Sequence, residues 1–138
     1  MKRVVATGTF DILHPGHLYY LTESRLLGDE LYVIVARDVN VKHKPSPILP
    51  EEQRVKMVSA LKPVDFARLG DRIDMFRPIE EIRPAVITLG YNQHFDEREL
   101  HEALQTRDLD CEVVRIGRYN GDEYCSSRTI VERILQTR

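Results

Sequence analysis

The sequence predicts one α/β domain, spanning 1–138, built on a five-stranded parallel sheet with helices on both faces. Three observations carry that prediction. Five short apolar runs rich in β-branched residues recur along the 138 residues, and segments of helical or loop character separate them. Parallel neighbours need a crossover long enough to hold a helix, and this alternation supplies one each time. The runs are also nearly continuous in apolar character, as befits strands covered on both faces.

The elements follow in order. Val4-Val5-Ala6 is the first strand. A glycine-containing turn leads to a helix that opens at Leu18-Tyr19-Tyr20-Leu21 and ends near Gly28. Leu31 to Ala36 is the second strand. Val39 to Pro50 carries three prolines and several charges, so it reads as a loop. A helix starts after Pro50, with Glu51 and Glu52 in its first turn and Val55, Met57, Val58 and Leu61 as its apolar face; Pro63 stops it. Val64 to Leu69 is a third, weaker strand. Asp71 to Pro84 reads as partly helical, broken at Pro78 and closed by Pro84. Ala85 to Leu89 is the fourth strand, Glu97 to Thr106 a charged helix and Cys111 to Ile116 the fifth strand. Ser126 or Ser127 caps a last helix that runs through Leu135. This is a Rossmann-like layout. Right-handed crossovers put every strand's carboxyl end on one edge, so the loops 8–17, 37–50, 90–96 and 117–127 are expected to converge there, where such sheets bind ligands.

Composition narrows the function classes. The formal net charge is −2 and the basic residues are scattered, which argues against a nucleic-acid partner. No apolar run reaches membrane-spanning length and no signal-peptide pattern opens the chain, so no membrane partner and a cytoplasmic location are expected. Cys111 and Cys125 lack metal-ligand spacing, and a disulfide is not expected in a reducing compartment. Cys125 lies beside the proposed phosphate-binding serines, so a redox role and a packing role are both open.

The chemistry concentrates in Gly8-Thr9-Phe10-Asp11-Ile12-Leu13-His14-Pro15-Gly16-His17. A helix start presents unpaired N–H groups and a partial positive charge, which suits a phosphate. Gly8 and Gly16 are expected to let the backbone approach a ligand closely. His14 and His17 can donate hydrogen bonds to a phosphate chain. Asp11 has two open readings, a turn-stabilising acceptor or a group near a metal or acceptor substrate.

Gly-Thr-Phe-Asp followed by His-Pro-Gly-His, directly after the first strand, resembles the HxGH signature of the nucleotidylyltransferase superfamily. The resemblance covers essentially the whole chain. It implies that His14 and His17 are catalytic, stabilising charge on the α-phosphate and the departing pyrophosphate. It implies that Thr9 and Phe10 meet nucleotide through their backbone and that Gly8, Pro15 and Gly16 complete the cradle. Asp38 would lie near nucleotide or acceptor, with a loop-capping role as the alternative. Of the lysines on the proline-rich loop, Lys44 is preferred over Lys42 for phosphate on position. Arg54 reads as a helix-surface partner of Glu51. The loop after the fourth strand would hold base and ribose, with Gly90 allowing close approach and Asn92 reading an edge or hydroxyl. Asp96 is expected to cap the helix that follows, and His94 to be merely exposed.

The chain departs from the wider pattern before its last helix. Cytidylyltransferases of this kind carry RTxGIST there; here Cys125-Ser126-Ser127 matches only the end, and the arginine is absent. Ser126 and Ser127 can bind phosphate, Tyr119 can stack on a base and Arg118 can replace the missing charge. With Ile34-Val35-Ala36-Arg37-Asp38 and Pro50-Glu51-Glu52-Gln53-Arg54, this loop is most similar to the archaeal FAD synthases. That resemblance implies AMP transfer from ATP to FMN, giving FAD and pyrophosphate. It also implies a divalent cation, Mg²⁺, carried by the phosphates and not by a protein cage, and a possible homodimer. The alternatives are a CTP-dependent glycerol-3-phosphate cytidylyltransferase and a nucleotide-binding module without catalysis.

Overall fold

The computed structural model describes residues 1–42 and 45–138. Five strands form one parallel sheet: β1 (Arg3–Gly8), β2 (Glu30–Val35), β3 (Phe66–Leu69), β4 (Val86–Leu89) and β5 (Glu112–Arg115). Their order is β3-β2-β1-β4-β5. The chain therefore winds outward from β1 in one direction, then returns to β1's other side. The switch point lies between β1 and β4, and ligands bind at such points beyond the carboxyl ends. β1 holds the register there, with Gly8 opposite Val35 and Ala6 opposite Thr88.

Helices α1 (Pro15–Arg25), α2 (Glu51–Ser59), α3 (Arg77–Ile82), α4 (Glu97–Gln105) and α5 (Ser127–Thr137) separate or follow the strands. Strand alternation sorts the core into two layers. Val4, Ala6, Leu31, Val33 and Val35 face Tyr20, Leu21 and Val58 of α1 and α2. Val5, Ile34, Ile87 and Leu89 face Ile79, Ile82, Leu100 and Leu104 of α3 and α4. Each fully buried Val, Leu or Ile contributes about 1.5–3 kcal/mol. The central strands carry most of these residues, so the ends of β1, β2 and β4 are the firmest points from which loops can project.

Several boundaries differ from the sequence reading, each for a local reason. α1 begins at Pro15, three residues before Leu18, because His14 is extended and caps the helix with its ring. Pro78 does not break α3. It sits in the first turn, where a missing N–H costs nothing. In α2 the buried residues are Glu51, Arg54 and Val58, while Met57 is half-exposed. The inward stripe thus carries charge, and the apolar face expected from Val55, Met57, Val58 and Leu61 is rotated. A short 3-10 turn, Asp38–Asn40, interrupts the loop after β2.

Tyr20 ties α1 to the switch point. Its hydroxyl donates to the Thr88 carbonyl at 2.8 Å and accepts from the Thr7 N–H at 3.2 Å. Ser24 Oγ lies 2.8 Å from Thr88 Oγ1 in the same buried cluster. Burial pushes the phenol up to about 12. Tyr20→Phe should cost about 1–3 kcal/mol, because it strands buried backbone groups of both strands. Urea unfolding of the two proteins side by side measures it, and a change below about 0.5 kcal/mol would assign the cluster no stabilising role.

Candidate active site

Loop 9–14 leaves β1 through a strained residue. Phe10 has φ of 53°, the left-handed region, at a cost of about 1–2 kcal/mol for a non-glycine residue. Burial offsets it: the ring is 3 % exposed and lies between His17, at 5.3 Å, and Tyr20, at 6.4 Å. This turn explains Gly8. A Cβ there would meet the Phe10 ring at 2.8 Å. Gly16 is explained in the same way, since a Cβ would meet the Cys125 carbonyl oxygen at 2.6 Å and the His14 ring at 2.9 Å. Both glycines are therefore required by close packing of the protein on itself, a reason different from the ligand approach expected from sequence. Gly16 also brings the first and last loops into contact.

His14 and His17 are stacked, ring centroids 3.8 Å apart at 29°. His14 Nδ1 accepts the Gly16 N–H at 3.1 Å. An imidazole that accepts at Nδ1 carries its proton on Nε2, so a neutral ring is still a donor. Partial burial lowers the His14 pKa from its ordinary 6.5, which keeps the ring neutral near pH 7. The folded state thus binds this proton less readily than the unfolded chain. His14's contribution to stability is complete above pH 6.5 and falls as the pH drops below it. Protonation also converts Nδ1 to a donor and breaks the α1 cap. In His14→Asn, whose amide oxygen still caps, the fall in melting temperature between pH 7 and 5 should be smaller than in wild type; an equal fall would place the acid-sensitive group elsewhere.

Arg54 joins the first two loops. It is 1 % exposed. Its guanidinium donates to the carbonyls of Thr9 at 2.7 Å, Ala36 at 2.9 Å and Leu49 at 3.0 Å, and to the Asp38 carboxylate at 2.5 Å. The expected pairing with Glu51 is replaced. Glu51 accepts from Arg37 and from the Asp38 N–H, both at 2.9 Å. Asp38 accordingly serves as partner of a buried cation. Asp11 does not close its own turn; it accepts the N–H groups of Ile48 and Leu49, both at 2.9 Å, and so fastens the far end of the proline-rich loop. Lys44 lies outside the described residues.

The fourth-strand loop reaches β1 through a residue that sequence reasoning passed over. Gln93 accepts the Gly90 N–H at 2.6 Å and donates to Thr7 Oγ1 at 3.3 Å. Asn92 is exposed. Asp96 caps α4 by accepting the Glu99 N–H at 3.0 Å, as expected. In the last loop, Tyr119 stacks on Tyr19 at 5.2 Å and donates to Asp122 at 2.7 Å. That hydrogen bond and burial raise its pKa. Arg118 stands over the Tyr91 ring at 5.6 Å, linking the fourth and last loops. Ser126 caps α5 by accepting the Thr129 N–H at 3.2 Å, and Ser127 is the first helical residue.

The four loops thus meet through named contacts: Gly16 with Cys125, Arg54 with Thr9 and Asp38, Gln93 with Thr7, Tyr119 with Tyr19. Their meeting point is the carboxyl edge beside the switch point. Two helix starts, α1 and α5, bear donors there, with a stacked histidine pair at the first. Helix starts and a histidine pair at such an edge suit phosphate groups in general, and the family and relatives of this chain make it a nucleotidyltransferase. The chain belongs to the cytidylyltransferase-like family, whose sequence profile matches residues 5–133. It is 70% identical over 138 residues to the FAD synthase of Methanosphaerula palustris, covering 100% of this chain and 90% of that one. It is 62% identical over 135 residues to the FAD synthase of Archaeoglobus profundus, covering 98% and 87%. Among solved structures, the lipopolysaccharide core biosynthesis protein from Thermoplasma volcanium superposes with a TM-score of 0.84 at 48% identity, over 87% of this chain and 99% of that one. No helix among the described residues is long and apolar enough to cross a membrane.

Proposed function

We propose that the protein is an FAD synthase: it transfers AMP from ATP to FMN and releases pyrophosphate. The observation that carries the chemistry is the His14–His17 stack at the start of α1, with His14 held as an Nε2–H donor by its bond from Gly16. The acceptor is supported by full-length relatives that bear the name FAD synthase.

An oxygen of the FMN phosphate attacks the α-phosphorus of ATP. The new P–O bond forms as the bond to the β-phosphate oxygen breaks, and the electron pair leaves with pyrophosphate. The phosphate nucleophile is already ionised at pH 7, so no protein base is required. What the protein supplies is position and charge stabilisation. His14 and His17 donate to the α-phosphate and the departing pyrophosphate. The N-terminus of α5, with Ser126 and Ser127, holds the other phosphates. Lys44 is proposed as a further phosphate contact. Gly90, Asn92 and Tyr119 are proposed to frame the nucleoside, and Asn92 is exposed. Asp11 and Arg54 hold the first two loops in register around them.

A Mg²⁺ ion is proposed to neutralise phosphate charge when bound. It is proposed to be carried by the phosphates themselves, since both Asp11 oxygens already accept backbone N–H groups.

Pyrophosphate release with paired donors and acceptors tests the reading. Release with ATP and FMN, and little with CTP and glycerol 3-phosphate, supports it. The reverse preference assigns the chain to the cytidylyltransferase reaction. Nucleotide binding without release under any pairing would make it a binding module.

A further inference from the structure

Arg115, the last residue of β5, holds the loop after β4 much as Arg54 holds the first two loops. Its guanidinium donates to the Gly90 carbonyl at 2.8 Å, the Gln93 carbonyl at 3.1 Å, the Phe95 carbonyl, and Glu97 Oε1 at 2.5 Å. Glu97 opens α4, so the cation is fastened to a helix start whose carboxylate it holds below the usual range. The loop is also held by the Gly90 N–H to Gln93 bond at 2.6 Å and by Arg118 over the Tyr91 ring at 5.6 Å. Its own backbone supplies the Gln93 N–H to Gly90 carbonyl bond at 3.2 Å, and Gln93 anchors it to Thr7. With its carbonyls turned inward onto one planar fork, the loop leaves Tyr91, Asn92 and His94 exposed.

We infer that Arg115 is a positioning residue for nucleotide recognition: it sets the 90–96 loop in the shape that receives the nucleoside, without touching the substrate. The inference rests on the proposed adenylyl transfer for its substrate and deepens it. A preformed loop spares the entropy of ordering seven residues when ATP binds, so its loss should appear in nucleotide affinity. The chemistry occurs at the histidines on another loop and should be spared. Lysine keeps the charge but offers no planar fork, so it cannot gather three carbonyls and a carboxylate together.

The test compares wild type, Arg115→Ala, Arg115→Lys and Glu97→Gln in steady-state assays with ATP and FMN, and in equilibrium titration with ATP alone. Expected for both Arg115 variants are a rise of about tenfold or more in the KM and Kd for ATP, a kcat within about threefold of wild type and an unchanged KM for FMN. Glu97→Gln, which keeps the carbonyl contacts, should stay within about twofold. Millimolar guanidinium should restore part of the ATP affinity of Arg115→Ala. If that variant folds poorly, Arg115→Lys carries the comparison. Unchanged ATP affinity, or a parallel fall in kcat and melting temperature with KM constant, would overturn the inference and leave Arg115 a brace. Wild-type protein that binds ATP yet makes no FAD would instead defeat the proposed function, while the ATP titrations would still decide the role of Arg115.

Discussion

Replacing His14 or His17 with Asn lowers kcat for nucleotidyl transfer by about 10²–10³ each, while ATP affinity stays within a few-fold. The expectation follows from where charge moves. On the proposed reading the triphosphate is also held in the ground state at the start of α5, so a single imidazole adds little to binding. In the transition state negative charge shifts onto the bridging oxygen and pyrophosphate, and a donor fixed at that point contributes most. His14 is fixed by the bond from Gly16 and by its stack on His17. Because the rings touch, the double variant should lose less than the product of the single losses. Single-turnover kinetics with separate ATP titration checks this. Equal losses in affinity and turnover would mean that the histidines serve binding alone.

Arg54→Met removes a cation that three carbonyls and a carboxylate surround. Methionine matches much of the volume but satisfies none of these acceptors. Breaking a buried pair this way costs about 3–5 kcal/mol. The lower end is expected here, because the Asp38 side chain is 45% exposed and water can take over its charge. The Thr9, Ala36 and Leu49 carbonyls lose their charged donor as well. Activity should fall beyond the loss of folded protein, since the same guanidinium sets loop 9–14 against loop 37–50. Chemical denaturation gives the stability change, and kcat under conditions where the variant is fully folded gives the rest. A loss below about 1 kcal/mol would show that the network is replaceable by packing.

The histidine pair and Arg54 mark the boundary of what the sequence made legible. The histidines were visible because their chemistry is local: a β-branched run, a glycine turn and His-Pro-Gly-His describe a strand, a turn and a helix start without reference to anything distant. The sheet was legible for the same reason, each strand being a short apolar run. Arg54 was not. On α2 it follows Glu51 by three residues and precedes Val58 by four, which places all three on one stripe, but a stripe bearing two charges reads as solvent-facing until its partners are known. Those partners are backbone carbonyls up to 45 residues away, and carbonyls leave no trace in side-chain pattern. Arg115 was missed for that reason too, and Gln93 because its partners, Gly90 and Thr7, meet only once β1 and β4 are neighbours. For Gly8 and Gly16 the sequence suggests ligand approach, but what makes glycine necessary there is the Phe10 ring and the Cys125 carbonyl, neither of which local sequence places.

The central claim is adenylyl transfer to a flavin phosphate at the His14–His17 edge of the sheet. Incubation of the purified protein with FMN, Mg²⁺ and ATP radiolabelled in the α-phosphate tests it most directly. Label is expected in FAD, with one pyrophosphate released for each FAD formed and loss of both in His17→Asn. Label that stays in ATP or AMP with no FAD formed, while CTP and glycerol 3-phosphate are turned over, would contradict it.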